Sequence, residues 1–337
     1  MNMRIGDIDY FNMRELLKDC LYEVQANAAN SDMPGIPSGF QSLDDLTSGF
    51  ERGKVYVIGG RPCMGKEELM LSMIRNITME SKMPVLLFST NNMKSDYIER
   101  LLTIHSEIPT LRLHQGLLEL YEWERIDQKV ETLVEAPLYI HDSLDLPLNE
   151  LIETSRNCIR EIGTRIIIID CLQMIDFANE DENPSERIAK VMSSLKQMAC
   201  QFHIPIVVGS MLGRGIEYRE GIEGKRPQLM DLANSSYIEG LADVIMMVHR
   251  HEYYHIYLDD NGRDLHGRIE VIVKKNALKP LGSIILDYHE KTGVVCMKNK
   301  NTTSKPVDLK KMNMDNDAVR KLITTFDLKE ELPELPF

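Results

Sequence analysis

The 337-residue chain has no run of about 18 consecutive apolar residues, so no segment reads as a membrane-spanning helix. Its start, MNMRIGDIDYFNMRELL, lacks the basic n-region and apolar core of a secretory signal. No C-x-x-C occurs among Cys20, Cys63, Cys158, Cys171, Cys200 and Cys296, most of which sit in apolar segments. A disulfide framework or zinc site is therefore disfavoured, and reduced, buried thiols are expected. Aromatic residues are few, at 6%, and positive charge is short, with 39 Lys and Arg against 52 Asp and Glu and a formal net charge of −13. Proteins that grip nucleic acid mainly through phosphates usually carry a basic patch, so this balance lowers the expectation of one without excluding it. Together these absences suit a cytoplasmic globular protein, long enough for one large core or two modest ones. His249, His251 and His255 crowd into HRHEYYHIY, but no Cys or paired acidic ligands stand beside them. Exposed strand-end histidines are expected there, not a structural metal.

Residues 12–27, NMRELLKDCLYEVQAN, read as an amphipathic helix. Asn12 can cap it, Glu15 suits its first turn, and Leu16, Leu17, Cys20, Leu21 and Val24 make one stripe. Short apolar runs then alternate with helical patterns. Strands are expected at 54–60, 84–90, 138–142, 165–170, 204–210, 243–250, 269–275 and 282–288, and helices at 66–80, 94–106, 120–135, 147–161 and 185–202. The early strands are almost wholly apolar, as in a parallel sheet covered on both faces, and the late ones read as an antiparallel extension. The expected fold is α/β with a mainly parallel central sheet flanked by helices. Residues 1–34 are expected to form a helix and loop, 35–297 the folded domain, and 298–337 a polar and acidic tail without fixed structure.

GGRPCMGKEE, residues 59–68, carries the chemistry. Gly60, Arg61, Pro62, Cys63, Met64, Gly65 and Lys66 satisfy G-x-x-x-x-G-K after an apolar strand and before a helix. Glycines there let backbone N–H groups approach phosphates, and the lysine adds charge. The next position, which should carry a magnesium-binding hydroxyl, is Glu67. A second signal is RIIIIDCLQMID, where an apolar strand ends in Asp170 in the manner of a carboxylate that holds magnesium through water.

GIPSGFQSLDDLTSGFERGKVYVIGGRPCMGK resembles the start of the RecA-like motor domain of DnaB-type replicative helicases. FST, IIIIDCLQMI, SMLGRGIEYR, KRPQLMDLANSSYIE, LADVIMMVHRHEYY and KKNALKPLGSI follow in that family's order. The resemblance covers about residues 10–290. It implies a RecA-like P-loop NTPase core, ATP and Mg2+ as cofactors, a hexameric ring, single-stranded DNA as track and a role in DNA replication. The helix at 12–27 resembles the family's linker helix, which docks on an adjacent subunit, and the family's primase-engaging N-terminal domain has no counterpart here.

Residue by residue, the resemblance implies a split site. Lys66, Asp170, Gln173 and Arg214 match the family's pattern, and Lys275 matches a basic residue that reaches the neighbouring subunit's phosphates. The magnesium hydroxyl is replaced by Glu67, the glutamate that handles the attacking water by Asn91, a switch glutamine by Met211, and the arginine finger by Ala277. The DNA-contacting loop reads ANSS, placing Ala233 and Asn234 where an arginine and its neighbour would stand. A general base is worth about 10²–10⁴ in rate and an arginine finger about 10³–10⁵. A carboxylate about 4 Å from a phosphate charge costs on the order of 4 kcal/mol at an effective dielectric near 20. Glu67 could take the anion's own place at the helix N-terminus, or it could ligate magnesium instead. Two readings follow. One is a pseudo-ATPase that assembles with itself or with an active DnaB-type ring and regulates it; the other is an active helicase with relocated carboxylates. The ending, EELPELPF, resembles the tail of bacterial single-stranded-DNA-binding proteins, in which Phe337 would enter an apolar pocket of a replication partner; the bland alternative is a solvated acidic tail.

Overall fold

The computed structural model describes residues 34–176, 183–233, 235–259, 262–277 and 280–297, together with 3–5, 8–10, Met13 and Leu17. Near the start, β1 (Met3–Ile5) and β2 (Ile8–Tyr10) pair antiparallel. Met13 and Leu17 are helical and exposed; the rest of the helix expected at 12–27 lies outside the described residues, as do Cys20, Asn234 and the whole tail with Phe337.

The main sheet has nine strands, ordered β11-β10-β9-β8-β3-β7-β6-β4-β5. They are β3 (Val55–Gly60), β4 (Val85–Ser89), β5 (Leu138–Asp142), β6 (Ile166–Asp170), β7 (Ile206–Met211), β8 (Val244–His249), β9 (Arg268–Asn276), β10 (Gly282–His289) and β11 (Val294–Cys296). From β8 to β5 all neighbours are parallel, and β9, β10 and β11 add the antiparallel extension. The apolar runs at β3, β4 and β6 are buried along their whole length because helices cover both faces. Side chains alternate between two cores. Tyr56, Ile58, Ile166 and Ile168 enter one, and Val55, Val57, Ile167 and Ile169 enter the other.

The helices are α1 (Gln41–Thr47), α2 (Lys66–Arg75), α3 (Lys94–Ser106), α4 (Thr110–His114), α5 (Leu120–Val134), α6 (Leu148–Glu161), α7 (Pro184–Phe202), α8 (Gly221–Lys225) and α9 (Ser235–Leu241). Local chemistry starts several of them. Glu119 and Glu122 form a capping box on α5, and Asn183 accepts from the Ser185 N–H at 2.9 Å with Pro184 in the first turn of α7. The segment after α2, Asn76–Glu80, widens into a π-turn.

Two expectations are corrected. Among the described cysteines only Cys171 is buried: Cys63 lies on the phosphate loop and Cys200 on the outer side of α7, both exposed. His249 and His251 are buried, not exposed. They pack edge to face at 4.4 Å, and Glu270, which also pairs with Arg226, lies 3.1 Å from His251 Nε2. The strand end carries them under the Tyr254 turn, and only His255 reaches solvent.

Candidate nucleotide site

The parallel strands end together on one edge, where the loop after β3 meets the ends of β6 and β7. That edge is where doubly wound sheets place their ligands. The loop bends through two residues with positive φ, Cys63 at 63° and Gly65 at 84°, and Gly65 opens α2. A Cβ on Gly60 would sit 2.9 Å from Cβ of Lys66, so only glycine lets the loop fold back over its strand. Arg250 holds the loop from below, donating through NH1 to the Cys63 carbonyl at 3.1 Å while its guanidinium lies 4.6 Å from the Tyr288 ring centre.

Lys66 extends across β7 and donates from Nζ to Oδ1 of Asp170 at the end of β6. Burial works against the lysine's charge, but the Asp170 carboxylate outweighs it and holds the Lys66 pKa above its ordinary value. The second oxygen, Oδ2, accepts from the Tyr97 hydroxyl of α3 at 2.8 Å. Burial, then the neighbouring carboxylate, pushes the phenol pKa up, so it remains a donor. The Thr90 N–H donates to the Asp170 carbonyl at 2.9 Å and Thr90 Oγ1 accepts from the Cys171 N–H at 2.7 Å, which fixes the backbone at this strand end.

Glu67 and Glu68, in the first turn of α2, are both held by Arg100 of α3. NH1 meets Glu67 and NH2 donates to Oε1 of Glu68 at 2.5 Å. Partial burial opposes the guanidinium charge, and the two glutamates override it and raise the Arg100 pKa. Arg61 donates from Nε to Glu217 Oε1 and from NH1 to the Leu212 carbonyl, each at 3.0 Å. Gln173 donates to Ser210 Oγ at 2.9 Å and accepts from the Met211 N–H at 3.1 Å, tying the end of β7 to the turn after Asp170. A cleft of about 340 Å³ lies among Gly60, Arg61, Pro62, Cys63, Gly65, Lys66, Glu67, Glu68, Asn91, Arg100, Cys171 and Met211. Met64 is buried beneath it.

The remaining candidate residues lie elsewhere. Arg214 is exposed at the start of the turn after β7, and Ala233 is half-buried in the turn before α9. Lys275 and the exposed Ala277 stand at the end of β9 remote from the loop, since Glu270 is the residue opposite His249 and Asn276 the one opposite Val244. Lys275 Nζ donates to the Glu239 and Ala242 carbonyls at 2.5 and 2.6 Å, at the end of α9. Neither residue can touch the loop of its own chain. Sequence reasoning missed Tyr97 and Arg100. Their i, i+3 spacing in the helix at 94–106 puts them on one face, which was the available signal.

The arrangement separates two ligands. The glycine cradle, with Lys66 at its mouth, fits a phosphate chain. A magnesium ion does not fit: both Asp170 oxygens are engaged, the residue is 1% exposed, and the carboxylate at position 67 is on Arg100.

The profile of the DnaB-like helicase C-terminal domain family matches residues 35–295. A probable replicative DNA helicase of Trieres chinensis is 31% identical over 287 residues, covering 84% of this chain and 62% of its own length. The replicative DNA helicase DnaB of Leifsonia xyli subsp. xyli is 30% identical over 277 residues, covering 82% of this chain and 59% of its own. The chain thus spans about three fifths of the length of these relatives. Among solved structures, a DnaB-like replicative helicase described with its interactions with primase superposes with a TM-score of 0.77 at 26% identity, over 86% of this chain and 69% of that one.

Proposed function

Since the chain belongs to the DnaB-like helicase C-terminal domain family, we propose that it serves DNA replication as a ring-forming subunit that does not hydrolyse ATP efficiently. It would assemble with copies of itself, in a hexamer, or with an active DnaB-type ring, and regulate that ring. The observation that carries this is the state of the cleft's carboxylates. Those lining it are Glu67 and Glu68, both are bound to Arg100, and position 91 offers an asparagine. A general base must be free to accept a proton within hydrogen-bond reach of the attacking water. No cleft-lining carboxylate among the described residues meets that condition, which weighs against relocated catalytic carboxylates.

ATP would meet the loop amides and Lys66 through its phosphates, with binding weakened by Glu67 and by the poor fit of Mg2+. Ala277 leaves the neighbour's site without an arginine finger, and Ala233 weakens the grip on single-stranded DNA. We assign residues 35–297 to the assembling domain, 1–34 to a segment that docks on a neighbour, and 298–337 to a tail that offers Phe337 to a replication partner. The working place is the cytoplasm.

The test is ATP turnover of the purified chain with magnesium, with and without single-stranded DNA. Loss of a base alone predicts a rate at least about 10² below a typical enzyme, under roughly 0.1 per second. Turnover near one per second that vanishes in Lys66→Ala would establish the active helicase instead.

A further inference from the structure

The first turn of a helix behind a phosphate loop offers an incoming anion unpaired N–H groups and the positive end of the helix dipole. In this chain that turn already holds two carboxylates, Glu67 and Glu68. Both grip the one guanidinium that enters the cleft from α3, and the pairs are a quarter exposed at most. The other cations of the cleft are engaged as well, Arg61 by Glu217 and Lys66 by Asp170. Four carboxylates therefore stand against three cations around a space shaped for phosphates. A polyphosphate held by the loop amides and Lys66 would compete with Glu67 and Glu68 for Arg100, which lines the same cleft. Carboxylates freed in that competition would then face its charge at short range in a partly desolvated cleft, where repulsion is strong.

We propose that Glu67 and Glu68 are a resident anion: they hold Arg100 in place of nucleotide phosphates, so that α2 and α3 are bridged and the cleft keeps its shape with no nucleotide bound. This rests on the non-hydrolysing reading and goes beyond it, because a site that cannot hydrolyse ATP can still bind it tightly. It also assigns Glu67 a positive role, where replacement of a hydroxyl by any non-ligand would have been enough to impair catalysis.

The experiment follows the fluorescence anisotropy of an N-methylanthraniloyl-ATP probe on the full chain, with and without magnesium. The wild type is expected to show no saturation up to about 1 mM. Glu67→Gln/Glu68→Gln keeps the shape and removes the charge, and Glu67→Thr/Glu68→Ala removes both. At least one of these is expected to gain tenfold or more in affinity, and a further Lys66→Met should cancel the gain. Melting followed by circular dichroism identifies which variants are folded. A wild type that saturates in the micromolar range overturns the proposal. So does the absence of any gain over wild type in whichever of the two variants are folded. A wild type that binds the probe but does not turn ATP over removes the resident anion and leaves the non-hydrolysing reading standing. One that turns ATP over near one per second removes the reading itself.

Discussion

The hydroxyl of Tyr97 and the carboxylate of Asp170 share a 2.8 Å hydrogen bond in the interior, with the two residues 2% and 1% exposed. With Lys66 on the other oxygen, the carboxylate has both of its faces satisfied by protein. A buried ion pair persists only when its remaining hydrogen-bonding capacity is met, and the phenol meets it here. The result ties α3 to the end of β6 and leaves neither oxygen of Asp170 without a protein partner.

Removing either partner should be read in stability as well as in ligand binding. Lys66→Met leaves Asp170 buried without a counter-charge, which typically costs about 3–5 kcal/mol. Tyr97→Phe removes one hydrogen bond to a charged group, about 1.5–3 kcal/mol. Urea denaturation at pH 7 checks both. A Lys66→Met loss of under about 1 kcal/mol would mean that water replaces the lysine and the pair is not structural.

Gly209 of β7 is the floor on which this pair rests. A Cβ there would stand 2.7 Å from Asp170 Oδ1 and 2.9 Å from Lys66 Nζ. Gly209→Ala should therefore destabilise by the roughly 1–3 kcal/mol of overpacking, and do so less in a Lys66→Met background, where one clash is gone. Equal losses in both backgrounds would refute the steric account. Denaturation of the four proteins in a double-mutant cycle decides it.

Much of this was legible in the residues. The apolar runs located β3, β4, β6 and β7 to within two residues, because burial on both faces leaves an unbroken hydrophobic signature, and the G-x-x-x-x-G-K loop located the start of α2, whose α-helical part ends at Arg75 and not at residue 80. The antiparallel extension was anticipated, although β11, three residues long, gave no pattern to read. The site's second half was hidden for a different reason. Arg100 and Glu68 meet across a sequence separation of 32 residues, and nothing in either segment alone says that α2 and α3 pack so that a guanidinium covers two glutamates. The histidines misled because the continuous apolar run of β8 reads the same whether its end is capped by solvent or by the Tyr254 turn.

On the proposed reading, restoring the groups replaced at positions 67, 91 and 277 should raise ATP turnover. Glu67→Thr, Asn91→Glu and Ala277→Arg together return a hydroxyl, a base and a finger, and the first change also releases one arm of Arg100. A gain of at least about 10² over wild type is expected, less than the product of the separate factors because all act on one transition state. A steady-state phosphate-release assay with single-stranded DNA measures it. No gain at all would show that the residue assignments or the presumed ring are wrong. Adding Tyr97→Phe to the triple variant should raise turnover further, by freeing Oδ2 of Asp170.

The acid limb of stability should begin at His249. Burial, then the neighbouring His251, lowers its pKa to about 3 in the folded chain, and its Nε2 has no hydrogen-bond partner among the described residues. The groups around it are His251, Tyr254, Glu270 and Arg226, of which Glu270 alone favours a protonated ring. Unfolded, the imidazole titrates near 6.5. Between those values the unfolded chain binds a proton that the folded chain refuses, so stability falls as pH falls, by up to about 1.4 kcal/mol per unit. Glu270 has the same sign over a lower window. Burial opposes its charge, but His251 and Arg226 hold its pKa down to about 2, so its contribution is lost between about 4.5 and 2. His249→Phe keeps a ring against Tyr254 and removes the upper titration. Urea midpoints at pH 7, 6 and 5 should then fall for the wild type and stay nearly level for the variant. Parallel slopes in the two proteins over that range would show that the buried histidine accepts its proton in the folded state.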